Sequence, residues 1–413
     1  MSAVDDREYR KAFYQAVDIQ QGADPRQRGY YVPIYQRDGM RDYDLVPQLR
    51  DSIEFSVAES VQFLSGCRGS GKTSELMRLR EELESAGYRV AYSDIEDYFN
   101  TLQPMPAPKL PYALAAGFAR ALDRDPDSGP MRRFFEFLKR VDVDVDATLR
   151  LPQGPSITAL VRDDTSFAAE AAKVFRENRR TFRQEFHAFF TDVLASLDSD
   201  QPVVYLVDSI DHWRGTGETF EAVRASVEQA FTELADDLRI PQVHVIYTVP
   251  IYLDLPGLGL RRDVVNVKIA ARDGTPFEPG IDALHEVLRV RAPRHELDRL
   301  FSPDHARATI QASGGMFRDL LRLTRQTLLE TRALPAHQAS LDRAQMLLRE
   351  GYATTFTREQ IEILRSVDST HELFTERDRK SDEAALVTLG AILRYPNATT
   401  TWYAVHPLLR PLL

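Results

Sequence analysis

The segment GCRGSGKT, Gly66 to Thr73, constrains the fold of this chain more than any other. Gly66, Gly71, Lys72 and Thr73 satisfy the spacing G-x-x-x-x-G-K-[ST], and Gly69, Ser70 and Ser74 complete a run of small residues. Before it stands the short apolar strand SVQFLSG. After it, TSELMRLREELESAG places Leu76, Leu79 and Leu83 on one helix face, with Gly87 as a stop. Glycines let a backbone wrap closely enough to aim successive N–H groups at phosphate oxygens, and a helix N-terminus adds a favourable dipole for an anion. In such a loop Lys72 reaches the β and γ phosphates and Thr73 ligates Mg²⁺. A chance glycine turn is the alternative, and the strand, loop and helix setting argues against it.

Further strands read as RVAYSDIED, QPVVYLVDSID, PQVHVIYTVP and DVVNVKIA, with helical text between most of them. Strands alternating with helices predict an α/β fold, a parallel sheet flanked by helices. Residues 1–54 read as a lead-in segment, an extended stretch and then a short helix carrying Leu45, Leu49 and Ile53. The core spans 55–275 with a helical insertion at about 101–200. Helical text over 276–350 predicts a lid. Residues 351–413, ending in the strands AILRY and TWYAV around PNATT, predict a winged-helix domain.

A phosphate loop needs an acid on a neighbouring strand, and VVYLVD ends at Asp208, a candidate Mg²⁺-side carboxylate. The next residue is Ser209 where many AAA+ ATPases carry a water-activating glutamate. Asp211 is therefore the candidate base, with a helix N-cap as its alternative. The pattern VVYLVDSID resembles the corresponding motif of STAND NTPases, including the NACHT branch, within the AAA+ and origin-recognition-like lineage. The resemblance implies a P-loop NTPase with helical lid and winged helix. It implies ATP or ADP and Mg²⁺ as cofactors, catalysis by Lys72, Asp208 and Asp211, and a sensor role for Thr248 in YTVP and for Arg318 in SGGMFRDLLRL. YAVHPLL is similar to the Met-His-Asp motif of NB-ARC-type switches, which implies that His406 touches the ADP phosphate, although Pro407 replaces the acid. The alternatives are a strand-end threonine satisfying backbone, an exposed stripe of Arg318, Arg322 and Arg325, and a histidine at the edge of the core.

Tyr31 and Val32 are candidates to pack on adenine, or a core anchor. Arg261 and Arg262 stand where a ring-forming relative projects an arginine finger, or form a solvated loop pair. Asp142, Asp144 and Asp146 alternate with valines, which reads as a solvated strand face. The cluster Arg176, Arg179, Arg180 and Arg183 lies among Phe175, Phe182 and Phe186, a pattern of core packing with nucleic-acid contact as the alternative. Cys67, the sole cysteine, sits in the loop near a helix N-terminus, which predicts a lowered thiol pKa.

Composition decides among partners. The 413 residues carry a net charge of −10, with no long apolar run and no leader-like start, which predicts a cytoplasmic protein without membrane spans. Acidity and the presumed wing-adjacent helix SDEAALVTLGA, with Asp382 and Glu383, disfavour the alternative of a DNA-associated AAA+ ATPase similar to an initiator or a transposition regulator. The favoured expectation is a slow ATPase acting as a conformational switch. It works as a homo-oligomer or with a separately encoded effector, as in antiphage defence. A nucleotide-locked scaffold without turnover is the third reading.

Overall fold

A computed structural model of the chain describes residues 3–18, 29–122, 130, 133–134, 172–197, 200–213, 219–353, 356–373, 379–397 and 400–413. Asp142, Asp144 and Asp146 lie outside the described residues. The chain divides into two compact units, one made of Met1–Gln48, Gly66–Glu81 and Asp263–Leu413, the other of Leu49–Ser65 and Glu82–Arg262.

One sheet holds five strands: β1 (Val61–Gly66), β2 (Arg89–Asp94), β3 (Val203–Asp208), β4 (Val243–Val249) and β5 (Leu260–Val264). Their order is β2-β3-β4-β1-β5, and β1 to β4 pair in parallel. β1 and β3 are buried at every position, which is why β3 reads as an apolar run from Val203 to Val207, while β1 also buries Gln62 and Ser65 among its apolar residues. In the second unit, the helix Leu110–Ala121 packs closely on this sheet at Gly117. A Cβ there would stand 2.7 Å from the Tyr205 hydroxyl and 2.8 Å from Ser93 Cβ. Tyr205 uses its hydroxyl against Ser93 at 2.7 Å and donates to the Leu114 carbonyl at 3.0 Å.

The helix Arg179–Ala195 buries Phe182, Phe186, Phe189 and Phe190, with Phe118 and Phe134 among their ring partners. Two of its arginines are engaged by structure, Arg183 Nε bonding Asp237 at 2.6 Å and Arg179 lying over the Phe175 ring at 5.0 Å, while Arg180 is exposed. That favours the core reading of this cluster.

In the first unit, the helix Ala3–Ala16 contributes Tyr9 and Phe13 to a core shared with Ile281, Leu284, Leu320 and Leu328. The lead-in stretch differs from the strand expected of it. Ile34–Gln36 and Arg41–Tyr43 are 3₁₀ turns, and it is Val46, Leu49 and Ile53 rather than Leu45 that are buried along the helix Val46–Glu54. The fifth strand also differs: it starts at Leu260 and stops at Val264 rather than running through DVVNVKIA. Beyond it, the Asn266 N–H donates to the Arg394 carbonyl at 3.0 Å and the Val267 N–H to the Gly315 carbonyl at 3.2 Å. These bonds replace a sheet ladder.

Helices Glu278–Arg291, Pro303–Ala312, Phe317–Glu330 and Gln338–Ala353 follow. The chain closes with Arg358–Thr370, which opens on a Thr357/Gln360 capping box, then Lys380–Leu389 and an antiparallel hairpin of Ile392–Asn397 with Thr400–Val405. The hairpin stacks Tyr395 on Trp402 at 4.8 Å. No helix among the described residues is long and apolar enough to cross a membrane.

Candidate functional site

The first unit carries the glycine loop. Gly66, Gly69 and Gly71 have φ of 155°, 85° and 100°, conformations that exclude most side chains. Space is equally strict at Gly69, where a Cβ would lie 2.3 Å from Arg318 Cβ. Lys72 is the first residue of the helix Lys72–Ser85 and is 5% exposed. Its Nζ donates to the carbonyls of Gly66 and Cys67, both at 2.9 Å. Ser70 is buried, and its hydroxyl has no hydrogen-bond partner among the described residues. Thr73 and Ser74 follow, half-buried in the first turn of that helix. Further along, Arg78 bonds Glu75 at 2.8 Å and pairs with Asp44, anchoring the helix to the segment before it.

Arg318 opens the helix Phe317–Glu330 and meets this loop directly: its N–H donates to the Gly69 carbonyl at 3.3 Å. Its guanidinium lies 3.4 Å from Asp319 Oδ1 and 3.4 Å from the Leu389 carbonyl. Arg322 reaches the same Asp319 at 3.2 Å, and Arg325 lies 3.3 Å from Asp18 and 4.3 Å from the Tyr14 ring centroid. These three arginines therefore form no free stripe. Val32 packs in the core of this unit, and Tyr31 stands half-buried beside it.

His406 is fully buried, with Nε2 3.1 Å from Asp319 Oδ2 and Nδ1 accepting from the Leu408 N–H at 3.2 Å. Tyr352 donates its hydroxyl to the same carboxylate. Burial would raise the pKa of Asp319, but His406, Arg318 and Tyr352 overcome it and hold the carboxyl well below the usual range. Asp319 was invisible to sequence reasoning because its partners are separated from it along the chain; an acid directly following the lid arginine was the one available signal.

Cys67 corrects an expectation. It is 3% exposed, its Sγ lies 3.4 Å from the Val387 carbonyl, and burial pushes the thiol up, against the lowering pull of Lys72 and Arg318. Desolvation outweighs the helix terminus.

The second unit carries the acids. Asp208 closes β3, 2% exposed, accepting from the Ser209 N–H at 2.8 Å and from the Tyr92 hydroxyl at 3.1 Å. Ser209 adopts a left-handed φ of 69°, a strained conformation for a residue with a side chain. Asp94 is the register partner of Asp208 on β2. Burial first, and then the Asp208 charge, push the Asp94 carboxyl up. Asp211 is 8% exposed within the turn Ile210–His212, whose N-cap is Ser209, while Thr219 precedes the next helix, so Asp211 caps neither. His212 sits 3.0 Å from Glu96 and 4.0 Å from Asp211.

Thr248, on β4 opposite Leu64 of β1, is fully buried, and its hydroxyl has no hydrogen-bond partner among the described residues. It is not spent on backbone. Arg261 lies within β5 and donates to the Leu253 and Ile251 carbonyls, the latter at 2.9 Å; Arg262 Nη1 lies 3.3 Å from the Arg261 carbonyl. Arg261 is thus bound by its own unit.

A glycine loop leaving β1, an aspartate closing β3 and the order β2-β3-β4-β1-β5 define the fold of a P-loop NTPase of the AAA+ class. No protein-family model matches the chain, and no curated protein does. Among solved structures it is similar to the Walker-type ATPase paby2304 of Pyrococcus abyssi, at 13% identity, 95% of this chain, 98% of that one and a TM-score of 0.42. It is similar also to the ADP form of the ORC2 protein of Aeropyrum pernix, at 11% identity, 96% and 94% coverage and a TM-score of 0.42. A third is Cdc6p from Pyrobaculum aerophilum, at 13% identity, 95% and 94% coverage and a TM-score of 0.39.

Proposed function

We propose that the chain binds Mg-ATP and hydrolyses it slowly, as a nucleotide-dependent conformational switch. The observation that carries this reading is the loop from Gly66 to Thr73: three glycines at positive φ, a buried lysine at the head of a helix and a buried serine hydroxyl with no partner among the described residues. Those features suit an oligophosphate, and a buried Asp208 at the end of β3 suits the cation that accompanies one. Bound Mg-ATP supplies the transferable phosphoryl group and the divalent charge. In the first unit Lys72 would hold the β and γ oxygens and Thr73 would ligate the cation; in the second, Asp208 is the candidate cation-side carboxylate. Asp211 would serve as the base for the attacking water, since Ser209 stands where a glutamate would otherwise follow Asp208. Thr248 in the second unit and Arg318 in the first would be the sensor residues, and Tyr31 with Val32 would offer the base an apolar wall.

The switch reading is supported by the contact of Arg318 with Gly69, which gives the loop's occupant a mechanical route to the helices after residue 276. A homo-oligomer, or an effector encoded apart from this chain, is the assembly through which such a switch would act, antiphage defence being one setting. Its place in the cytoplasm belongs to the same proposal.

Equilibrium binding of labelled ATP with Mg²⁺, for the unaltered chain and for Lys72→Ala and Asp208→Ala, tests the reading. Saturable binding that falls at least about tenfold in Lys72→Ala supports it. Binding that neither variant changes refutes it.

A further inference from the structure

Asp319 is fully buried, and a buried carboxylate survives only with its oxygens engaged. Four side chains engage it. Arg318 and Arg322 lie 3.4 and 3.2 Å from Oδ1, His406 lies 3.1 Å from Oδ2, and Tyr352 donates to Oδ2. His406 Nδ1 accepts from the Leu408 N–H, which leaves Nε2 as the ring nitrogen beside the carboxylate. Asp319 thus joins the helix Phe317–Glu330, the helix Gln338–Ala353 and the residue that follows the C-terminal hairpin.

The same helix start is bonded to the loop. Arg318 donates its N–H to Gly69, and its side chain fills the space a Cβ at 69 would need. Two carbonyls at the end of the helix Lys380–Leu389 complete the arrangement: Val387 faces the Cys67 thiol and Leu389 faces the Arg318 guanidinium.

We infer that Asp319 is a positioning residue that holds Arg318 on the phosphate loop, and that His406 fixes Asp319 from the far end of the chain rather than touching nucleotide itself. The loop is then coupled to the C-terminal hairpin through one carboxylate. Its regulatory meaning rests on the nucleotide reading above, but the coupling does not, because it is a property of the protein without nucleotide.

Cys67 is the only cysteine and lies in the loop, so its labelling by a thiol reagent in the nucleotide-free full chain reports loop opening. Asp319→Asn keeps the side-chain shape and removes the charge. It should label about tenfold faster than the unaltered chain, the mid-range for coupling between contacting groups. The acceleration should persist at low urea with no denaturant slope, marking a local opening. Because Asp319 acts through Arg318, the double variant with Arg318→Ala should label no faster than Arg318→Ala alone. His406→Gln retains the Asp319 charge, so it keeps the test alive if Asp319→Asn does not fold, and it should give a smaller acceleration. A wild-type rate in both variants, additive effects in the double variant, or acceleration that appears only with the slope of global unfolding overturns the inference. With ATP, Asp319→Asn should raise KM as Arg318→Ala does. If the unaltered chain binds no ATP, the nucleotide reading fails while the thiol kinetics still decide this one.

Discussion

Gly69→Ala tests the packing of the helix Phe317–Glu330 on the loop most sharply, because a matched control exists in the same unit. Gly69 and Gly274 share a φ of 85°, but a Cβ at 69 meets Arg318 Cβ at 2.3 Å, whereas one at 274 meets nothing within 4 Å. Forcing an L-residue into that conformation costs about 1–2 kcal/mol at either position. Only at 69 must Arg318 retreat, since carbon atoms rest about 3.5–4 Å apart. Overpacking of this kind adds about 1–3 kcal/mol. Urea unfolding of the first unit reads the difference, with Trp402, stacked on Tyr395, as fluorescent reporter in a Trp213→Phe background. Gly69→Ala should unfold at a urea midpoint lower than Gly274→Ala by about 1 M, given a slope of about 1–3 kcal/mol per M. Equal midpoints would refute the claim that the start of the Phe317–Glu330 helix rests on the loop.

Asp319, whose carboxyl is held below its unfolded value, contributes stability that is complete above an unfolded pKa of about 3.9 and is lost as pH falls further toward its folded value. The stability gap between the unaltered chain and Asp319→Asn, measured by denaturation across pH, should therefore be constant near neutrality and close below about pH 4; a gap that widens on acidification contradicts the assignment. Tyr352→Phe removes one donor to a buried charge and should cost about 1.5–3 kcal/mol in the same assay. Cys67, buried and raised, should resist iodoacetamide in the folded chain and react readily in urea. A rate in buffer equal to that of the unfolded thiol would show it exposed. Tyr205→Phe leaves Ser93 without its 2.7 Å partner and should cost about 1–3 kcal/mol in the second unit, read by Trp213 fluorescence.

Much of this architecture was legible because it rests on local signals. The loop announces itself through the glycines and small residues of a tight turn between strand and helix, and β3 through an apolar run that only a doubly covered strand sustains. The final hairpin was equally plain from its turn residues. β5 was placed three residues too late at its start and six at its end because LRRDV, with four half-buried positions, carries little of a strand's apolar signature while VVNV, which begins at its last residue, does. The helix Ala3–Ala16 went unread although Tyr9, Phe13 and Val17 recur at the spacing of one face.

Site residues divide the same way. Lys72 and Asp208 were marked by motif; Asp319 was not, because its role is made by Tyr352 and His406, 33 and 87 positions away. Cys67 was misjudged because sequence shows the helix it precedes but not the Val387 carbonyl and apolar cover that bury it. Long-range packing decides such residues, and a single sequence does not display it.

The central claim is that the loop from Gly66 to Thr73 binds and turns over Mg-ATP. Phosphate release from Mg-ATP, measured for the unaltered chain beside Lys72→Ala, tests it most directly. The account predicts slow, saturable release that the variant loses by about 100-fold or more. Release at equal rates from both chains, or none from either with no nucleotide bound, would contradict it.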